Sequence, residues 1–401
     1  MIPFYRPYID SEIKQAVCKA IESGWLSSGP LVRQFENELK VYTGAQSVIC
    51  TGSAGMSLQM VLRYFGIQNG DEVILPAFTH PATANAVVLS GAKPVFADIN
   101  PVDFTICPVS ISKLINANTK AIIPVDIAGM PCDYNIIYKL IQSKKSEFIP
   151  ASPIQEDMGR ILLLADASHS FGATMEEKQS GTLADISVFS FHAVKNLTTG
   201  EGAAICFNLP QHMNFSKIAD DFKAARVHGL TADAFRKLEE KTWEYDVHEP
   251  SGKSVLTDVA AAMGISLLKK YNTIILPRRL HLFNHYSKLF LNDSRYICPV
   301  HYMEDKNSSC HLYILQLNGK NKDQRNKIMR QLYDRGIITN LQFIPIPLLT
   351  WYKSTGYTTG GLENTMNLYS RCLSLPFFHD LNEEQMNIVC TEIKQLDSLI
   401  I

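Results

Sequence analysis

Lys195 lies in SFHAVKNLTTGEGAAI (Ser190–Ile205), between an apolar run and a loop rich in Thr and Gly. A lysine at the end of a buried strand loses its proton readily and can form a Schiff base with an aldehyde. A surface lysine that snorkels to water fits the same local pattern. LLLADASH (Leu162–His169) ends an apolar run on Asp166. A carboxylate there is partly desolvated and needs a partner. It either holds a protonated ring nitrogen by a charge-assisted hydrogen bond or caps the next turn. PAFTH (Pro76–His80) follows another apolar run, and its flat ring either lies on a planar ligand or packs as a loop aromatic. TGSA (Thr51–Ala54) enters a helix whose first N–H groups and dipole suit a phosphate, unless Ser53 is simply its cap.

An amine for an aldehyde, a carboxylate for a ring nitrogen, a flat side chain and a phosphate cradle are together the parts that pyridoxal 5'-phosphate requires. In that reading Asp166 keeps the pyridine nitrogen protonated, so the ring draws electrons from the α-carbon of a bound amino acid. Lys195, displaced by the incoming amine, then moves protons as acid and base.

The elements that must position these residues follow from the hydrophobic pattern. Strands are expected at Ser47–Cys50, Glu72–Leu75, Pro94–Ala97, Ala121–Val125, Ile161–Ala165 and Ile186–Phe191. Helical stretches at 54–62, 82–90 and 134–143 alternate with them. Such alternation predicts an α/β fold with a mostly parallel sheet between helices, and ligands bound in the loops after the strands. KKSEFIPASPIQEDMGR (Lys144–Arg160) interrupts the rhythm with two prolines and no period, which predicts a surface insertion. Past Lys253 the pattern changes to helices at 257–270, 272–292 (broken near Pro277), 323–335 and 383–399, with a strand at 311–317. The expected division is a large α/β domain over 1–250 and a smaller C-terminal α/β domain over 251–401.

Composition narrows the function. The 401 residues are 46% hydrophobic and 19% charged with a net charge of −1, so nothing overall selects nucleic acid as a partner. No stretch reads as a secretory signal or as the ~18 apolar residues of a membrane span, which predicts a cytoplasmic protein. The nine cysteines are scattered without metal-ligand spacing, so reduced thiols and no metal are expected.

At motif length the sequence resembles the DegT/DnrJ/EryC1/StrS family of pyridoxal-phosphate aminotransferases, which act mainly on nucleotide-linked keto-sugars. The resemblance runs from GWLSSGP (Gly24–Pro30) through GDEVILPAFTHPATANAVVLSGAKPVFADI (Gly70–Ile99), ADASHSFGA (Ala165–Ala173) and the Lys195 segment to Ser374-Leu375-Pro376. It implies a fold-type-I aminotransferase, usually a homodimer with active sites at the subunit interface. It also implies L-glutamate as amino donor and a nucleotide-linked 4-keto-6-deoxyhexose or 3-keto sugar as acceptor, for amino-sugar and polysaccharide biosynthesis.

Within that resemblance Lys195 falls on the Schiff-base lysine and Asp166 on the pyridinium partner. His169 falls beside the ring and its hydroxyl, Ser190 on a phosphate-binding serine, and Ser53 and Ala54 on the backbone phosphate cradle. His80 stands where the family has Phe, Tyr or Trp on the ring face. Lys253, in SGKSVLTD (Ser251–Asp258), falls where the family has Asn or Lys near the neighbouring subunit's phosphate. QFIPIP (Gln342–Pro347) replaces the family's His-Tyr-x-Pro. Arg226, in ARVHG (Ala225–Gly229), and Lys253 are candidate cations for a diphosphate. Members that act as dehydratases carry His in place of the lysine, so Lys195 favours transamination. A non-nucleotide ketone such as a cyclitol, or a silent binding protein on the same scaffold, are the alternatives.

Overall fold

The computed structural model describes residues 1–232 and 234–400. Its centre is a seven-stranded sheet. The strand order is Ser47–Thr51, Ala203–Phe207, Ile186–Ser190, Leu162–Asp166, Thr119–Ile122, Glu72–Pro76 and Lys93–Ala97. Only Ala203–Phe207 runs against the others. The inner strands are buried on both faces, so they read as continuous apolar runs. Successive side chains still alternate between the faces. Val73, Leu75, Leu162 and Leu164 enter one core, and Ile74 and Leu163 enter the other.

The helices cover both faces. Ala54–Tyr64 places Leu58, Val61 and Leu62 on the first core, and Tyr134–Ser143 places Ile137 and Ile141 on the second. Helices Ser11–Glu22 and Pro30–Thr43, which the pattern analysis does not draw, pack on Asp258–Lys270. Asp258 joins them: Oδ1 accepts the N–H groups of Gly29 and Val32, and Oδ2 that of Leu31. These are first-turn donors that the helix cannot satisfy itself. Ala261, Ile265 and Leu268, assigned by sequence to the second domain, thus share a core with Phe35 and Leu39.

The C-terminal part has a three-stranded antiparallel sheet, ordered Tyr296–Ile297, Ile314–Leu317 and Cys372–Ser374. Its core gathers Leu282, Tyr286, Ile328, Leu332, Val389 and Ile393. The chain's first residues join this part. Ile2 bridges Ile337, and the Phe4 carbonyl accepts the N–H of Phe377.

Three expectations are corrected. Residues 144–160 are not merely a surface insertion, because Pro153–Met158 is a short helix with Gln155 and Met158 buried. Gln155 Nε2 donates to the Phe65 and Gly66 carbonyls, and Arg160 forms a buried two-point pair with Asp185. The helical irregularity expected near Pro277 lies earlier, as a π turn at Tyr271–Ile275. Pro277 follows this turn in Leu276–Phe290, and with no N–H it cannot donate to the helical turn before it. Finally, one stretch does have the length and hydropathy of a span, within the continuous 33-residue helix Asp258–Phe290. Leu267, Leu282 and Phe283 of that helix are packed inside the protein, while Ile274 and Leu280 are exposed.

Candidate active site

Four of the parallel strands deliver side chains to the same edge of the sheet. Ser53 follows Ser47–Thr51, His80 follows Glu72–Pro76, Asp166 ends Leu162–Asp166 and Ser190 ends Ile186–Ser190. With Ala54, His169 and Lys195 they line one cavity of about 500 Å³. Seven of the nine residues singled out by sequence therefore meet. Lys253 is exposed and lies outside this cavity. Arg226 is also elsewhere: it is buried, with Nη1 2.5 Å from Glu36 Oε1 and 3.0 Å from the Cys50 carbonyl. That position makes it a tie at the sheet edge rather than a cation for a diphosphate. A separate groove lined by Met56, Met60, Arg63, Tyr64, Phe222 and Pro250 holds none of the candidate residues named above.

Asp166 is buried, and its carboxylate is held from two sides. Thr83 Oγ donates to Oδ2 at 2.7 Å, and Ser168 donates to Oδ1 through Oγ at 2.5 Å and N–H at 3.2 Å. Thr83 stands on the helix Pro81–Leu89 that His80 caps through Nδ1. The loop that presents His80 thus also orients Asp166.

Lys195 is partly exposed to the cavity while protein atoms crowd its amine. Desolvation lowers its pKa to about 8, with the Asp166 charge opposing the shift. The Lys195 carbonyl accepts the Tyr5 hydroxyl at 2.9 Å. The phosphate-cradle candidates lie at the start of Ala54–Tyr64. The Ser53 side chain reaches the Met56 N–H only at 3.5 Å. The Ala54 and Gly55 N–H groups have no acceptor within the helix, as its first turn requires.

His169 is buried, and its Nδ1 accepts the Ala128 N–H at 3.3 Å. Burial first, then the charges of Lys195 and His80, keep its pKa well below the usual value. The exposed His80 imidazole is also depressed, by desolvation and by Lys195. Phe343 packs between the two, its ring centroid 5.8 Å from that of His80 and 5.9 Å from that of His169.

Sequence reasoning missed Thr83, Asn196, His311, Phe343 and Tyr5. His311 is buried with its ring 4.4 Å from that of His169, and its Nδ1 is 2.9 Å from Asn196 Oδ1. The only available signal was positional: Asn196 follows the lysine, and His311 begins the run expected as a strand.

The arrangement fits pyridoxal phosphate. The volume is within the range of small-molecule sites, and the donor set supplies an amine of lowered basicity, a fixed carboxylate and free N–H groups at a helix start. Among the described residues, no group of three or more His, Cys, Asp or Glu is placed to hold a metal ion.

Comparison with known proteins agrees. The spore coat polysaccharide biosynthesis protein SpsC of Bacillus subtilis (strain 168) is 32% identical over 400 residues, covering 98% of this chain and 97% of that protein. The UDP-4-amino-4-deoxy-L-arabinose–oxoglutarate aminotransferase of Shewanella sediminis (strain HAW-EB3) is 30% identical over 406 residues, covering 98% of each. The putative sugar aminotransferase Spr1654 from Streptococcus pneumoniae, solved in its PMP-form, superimposes with a TM-score of 0.95 at 32% identity and full coverage of both chains. Its PLP-form gives a TM-score of 0.94. Residues 7–394 match a single family description, and the chain belongs to the DegT/DnrJ/EryC1/StrS aminotransferase family.

Proposed function

We propose that this pyridoxal-phosphate-dependent aminotransferase moves the amino group of L-glutamate to a nucleotide-linked keto-sugar, with a 4-keto-6-deoxyhexose as acceptor. The observation that carries the reading is the Lys195 amine, lowered to about 8 on a cavity wall shared with Asp166. The named activities of the relatives, on a UDP-linked amino sugar and in polysaccharide biosynthesis, support the sugar class.

When bound, the cofactor supplies an aldehyde for covalent attachment and a ring that stabilises negative charge on the donor's α-carbon. In our assignment Lys195 is the attachment point. Ser53, Ala54 and Ser190 would hold the phosphate, and His80 and His169 would flank the ring. Asp166 would keep a proton on the ring nitrogen, with Thr83 and Ser168 preventing its carboxylate from turning away. Lys195 Nζ, with a pKa near 8, is partly neutral at pH 7, so it can take a proton and return it without a large energetic mismatch. Tyr5 fixes the lysine backbone while its side chain moves. Apolar Leu58, Phe343 and Phe377 on the cavity wall limit water around the transferred proton.

We assign Lys253 to the phosphate of a neighbouring subunit in a homodimer. Its exposure outside its own chain's cavity supports that assignment. We place the reaction in the cytoplasm, consistent with nine unpaired cysteines.

The test incubates holoenzyme with glutamate and dTDP- or UDP-linked 4-keto-6-deoxyglucose, following 2-oxoglutarate and the aminated sugar by mass spectrometry. Amination of a free cyclitol ketone but of neither nucleotide-linked sugar would overturn the acceptor. Borohydride reduction followed by peptide mapping should place the cofactor mass on Lys195; its recovery on another lysine would overturn the site.

A further inference from the structure

Ser309 is buried and outside the cavity, yet it binds the surroundings of two residues that line it. Its Oγ donates to the His169 carbonyl at 2.6 Å. Its own carbonyl accepts Nδ2 of Asn196, the residue after Lys195, at 2.8 Å. The loop that carries His169 and the loop that carries Lys195 are thus joined through one residue, 140 positions from His169 and 113 from Asn196 in the chain.

The joint is stiff. The Ser309 N–H donates to the Gly129 carbonyl at 3.0 Å, and the His311 N–H to the Ala128 carbonyl at 2.9 Å. Buried Arg279 donates Nε to the Cys310 carbonyl at 2.8 Å and Nη2 to the His311 carbonyl at 2.5 Å. Cys310 and Ala128 are both left-handed, at φ +50° and +55°. Such conformations are costly for residues with a side chain and persist only where the contacts around them over-determine the backbone. Gly129, at φ +98°, completes the cluster. A Cβ there would overlap Ser309 Oγ and lie 3.1 Å from the His169 carbonyl, so the close approach requires glycine.

His169 is held twice by this cluster: its carbonyl takes the Ser309 hydroxyl, and its ring Nδ1 accepts the Ala128 N–H at 3.3 Å. Asn196 is held twice as well, by the Ser309 carbonyl and by His311, whose Nδ1 lies 2.9 Å from Oδ1. The peptide between Lys195 and Asn196 is pinned further by Tyr5. Among the described residues no hydrogen bond joins Lys195 to His169, so their relative placement passes through Ser309. Placement matters at a reacting centre, where a shift of about 1 Å can lower a rate about 100-fold.

We propose that Ser309 is a positioning residue for transamination, its hydroxyl setting where the His169 imidazole stands relative to Lys195; this rests on the site assignment given above.

The experiment compares Ser309→Ala with a matched control, Ser180→Ala. Ser180 is equally buried and lies outside the cavity, and its Oγ donates at 2.6 Å to the carbonyl of Ser170. Each variant removes one buried hydroxyl from one backbone carbonyl, so both should lower the Tm of cofactor-free protein by similar amounts. Nitrogen-15 histidine spectra of cofactor-free protein should separate them. Ser309→Ala should shift the His169 ring resonances and mix its tautomers, because the His169 peptide is free to turn from the Ala128 N–H, while His311 keeps one tautomer. Ser180→Ala should leave both rings as in wild type. With cofactor bound, Ser309→Ala should lower kcat about tenfold in both half-reactions, change KM little, and displace the visible absorbance maximum; Ser180→Ala should stay within about twofold of wild type in kcat. Unchanged His169 resonances in Ser309→Ala, or equal losses of kcat in the two variants, would overturn the proposal. Recovery of the cofactor on a lysine other than Lys195 after borohydride reduction would overturn the site assignment, and the proposal with it.

Discussion

Asn196 Oδ1 lies 2.9 Å from His311 Nδ1, while Nδ2 of the same amide donates to the Ser309 carbonyl at 2.8 Å. A carbonyl accepts only, so this contact fixes which end of the amide faces the histidine. Asn196 then accepts, His311 carries its proton on Nδ1, and its Nε2 is left as an acceptor. His169 has the opposite arrangement, because its Nδ1 accepts the Ala128 N–H. Burial, reinforced by the charge of Lys195, holds both rings neutral well below the usual histidine pKa. Nitrogen-15 NMR of cofactor-free protein labelled in histidine should show opposite neutral tautomers for these two rings, with no titration in the usual histidine range. Asn196→Leu should scramble the His311 tautomer and cost about 1–3 kcal/mol in urea unfolding. Identical tautomers in the wild-type protein would refute the assignment.

The Thr83 hydroxyl is 2.7 Å from Asp166 Oδ2, on a helix one turn past His80. A hydrogen bond to a charged group contributes about 1.5–3 kcal/mol. Thr83→Val keeps the shape and removes the donor, so cofactor-dependent kcat/KM should fall roughly tenfold or more. Thr83→Ser should recover most of it, with far-UV circular dichroism unchanged in both. Equal impairment of the two variants would mean that packing, not the donated proton, matters.

The depressed Lys195 pKa also makes a statement about stability. The unfolded chain holds a proton on this amine up to its ordinary pKa of 10.5, whereas the folded protein releases it near 8. Between these values the unfolded state binds more protons, so folding stability rises with pH across that window and the penalty is fully present below it. In cofactor-free protein the Tm difference between wild type and Lys195→Met should therefore shift in favour of wild type from pH 8 to pH 10. A difference that stays flat across that range would show an amine of ordinary basicity.

Arg160 meets Asp185 through two hydrogen bonds of 2.8 and 2.7 Å with both side chains buried. Asp185 also accepts the Leu163 N–H and the Tyr138 hydroxyl. Removing one member of such a pair leaves the other charge buried without its counter-ion. Arg160→Met should cost about 3–5 kcal/mol in denaturant unfolding, whereas Lys144→Met, whose partner Glu147 is exposed, should cost no more than about 1 kcal/mol.

The parallel strands were legible because burial on both faces turns each into an apolar run that stops abruptly at a loop. The chemistry of those loops could be read for the same reason, since polar residues at the ends of apolar runs stand out. Ala203–Phe207 was not drawn as a strand: AAICF has no alternation, and its direction depends on the return path from Ser190 rather than on its own residues. Thr83, Asn196 and His311 were missed for a related reason. Each acts through a contact 75 residues or more away in the chain, such as Thr83 with Asp166 or Asn196 with His311. The segment ending at Arg160 was misread because a charged residue in a polar stretch looks solvated until its buried partner is known.

The first five residues join the C-terminal part of the molecule to Lys195. Met1 extends into solvent, but Ile2 is stitched to Ile337, Phe4 to Phe377 and Tyr5 to the backbone of Lys195. A purification handle fused ahead of Met1 therefore hangs free, while clipping a few residues more dismantles a wall of the cavity that holds Lys195.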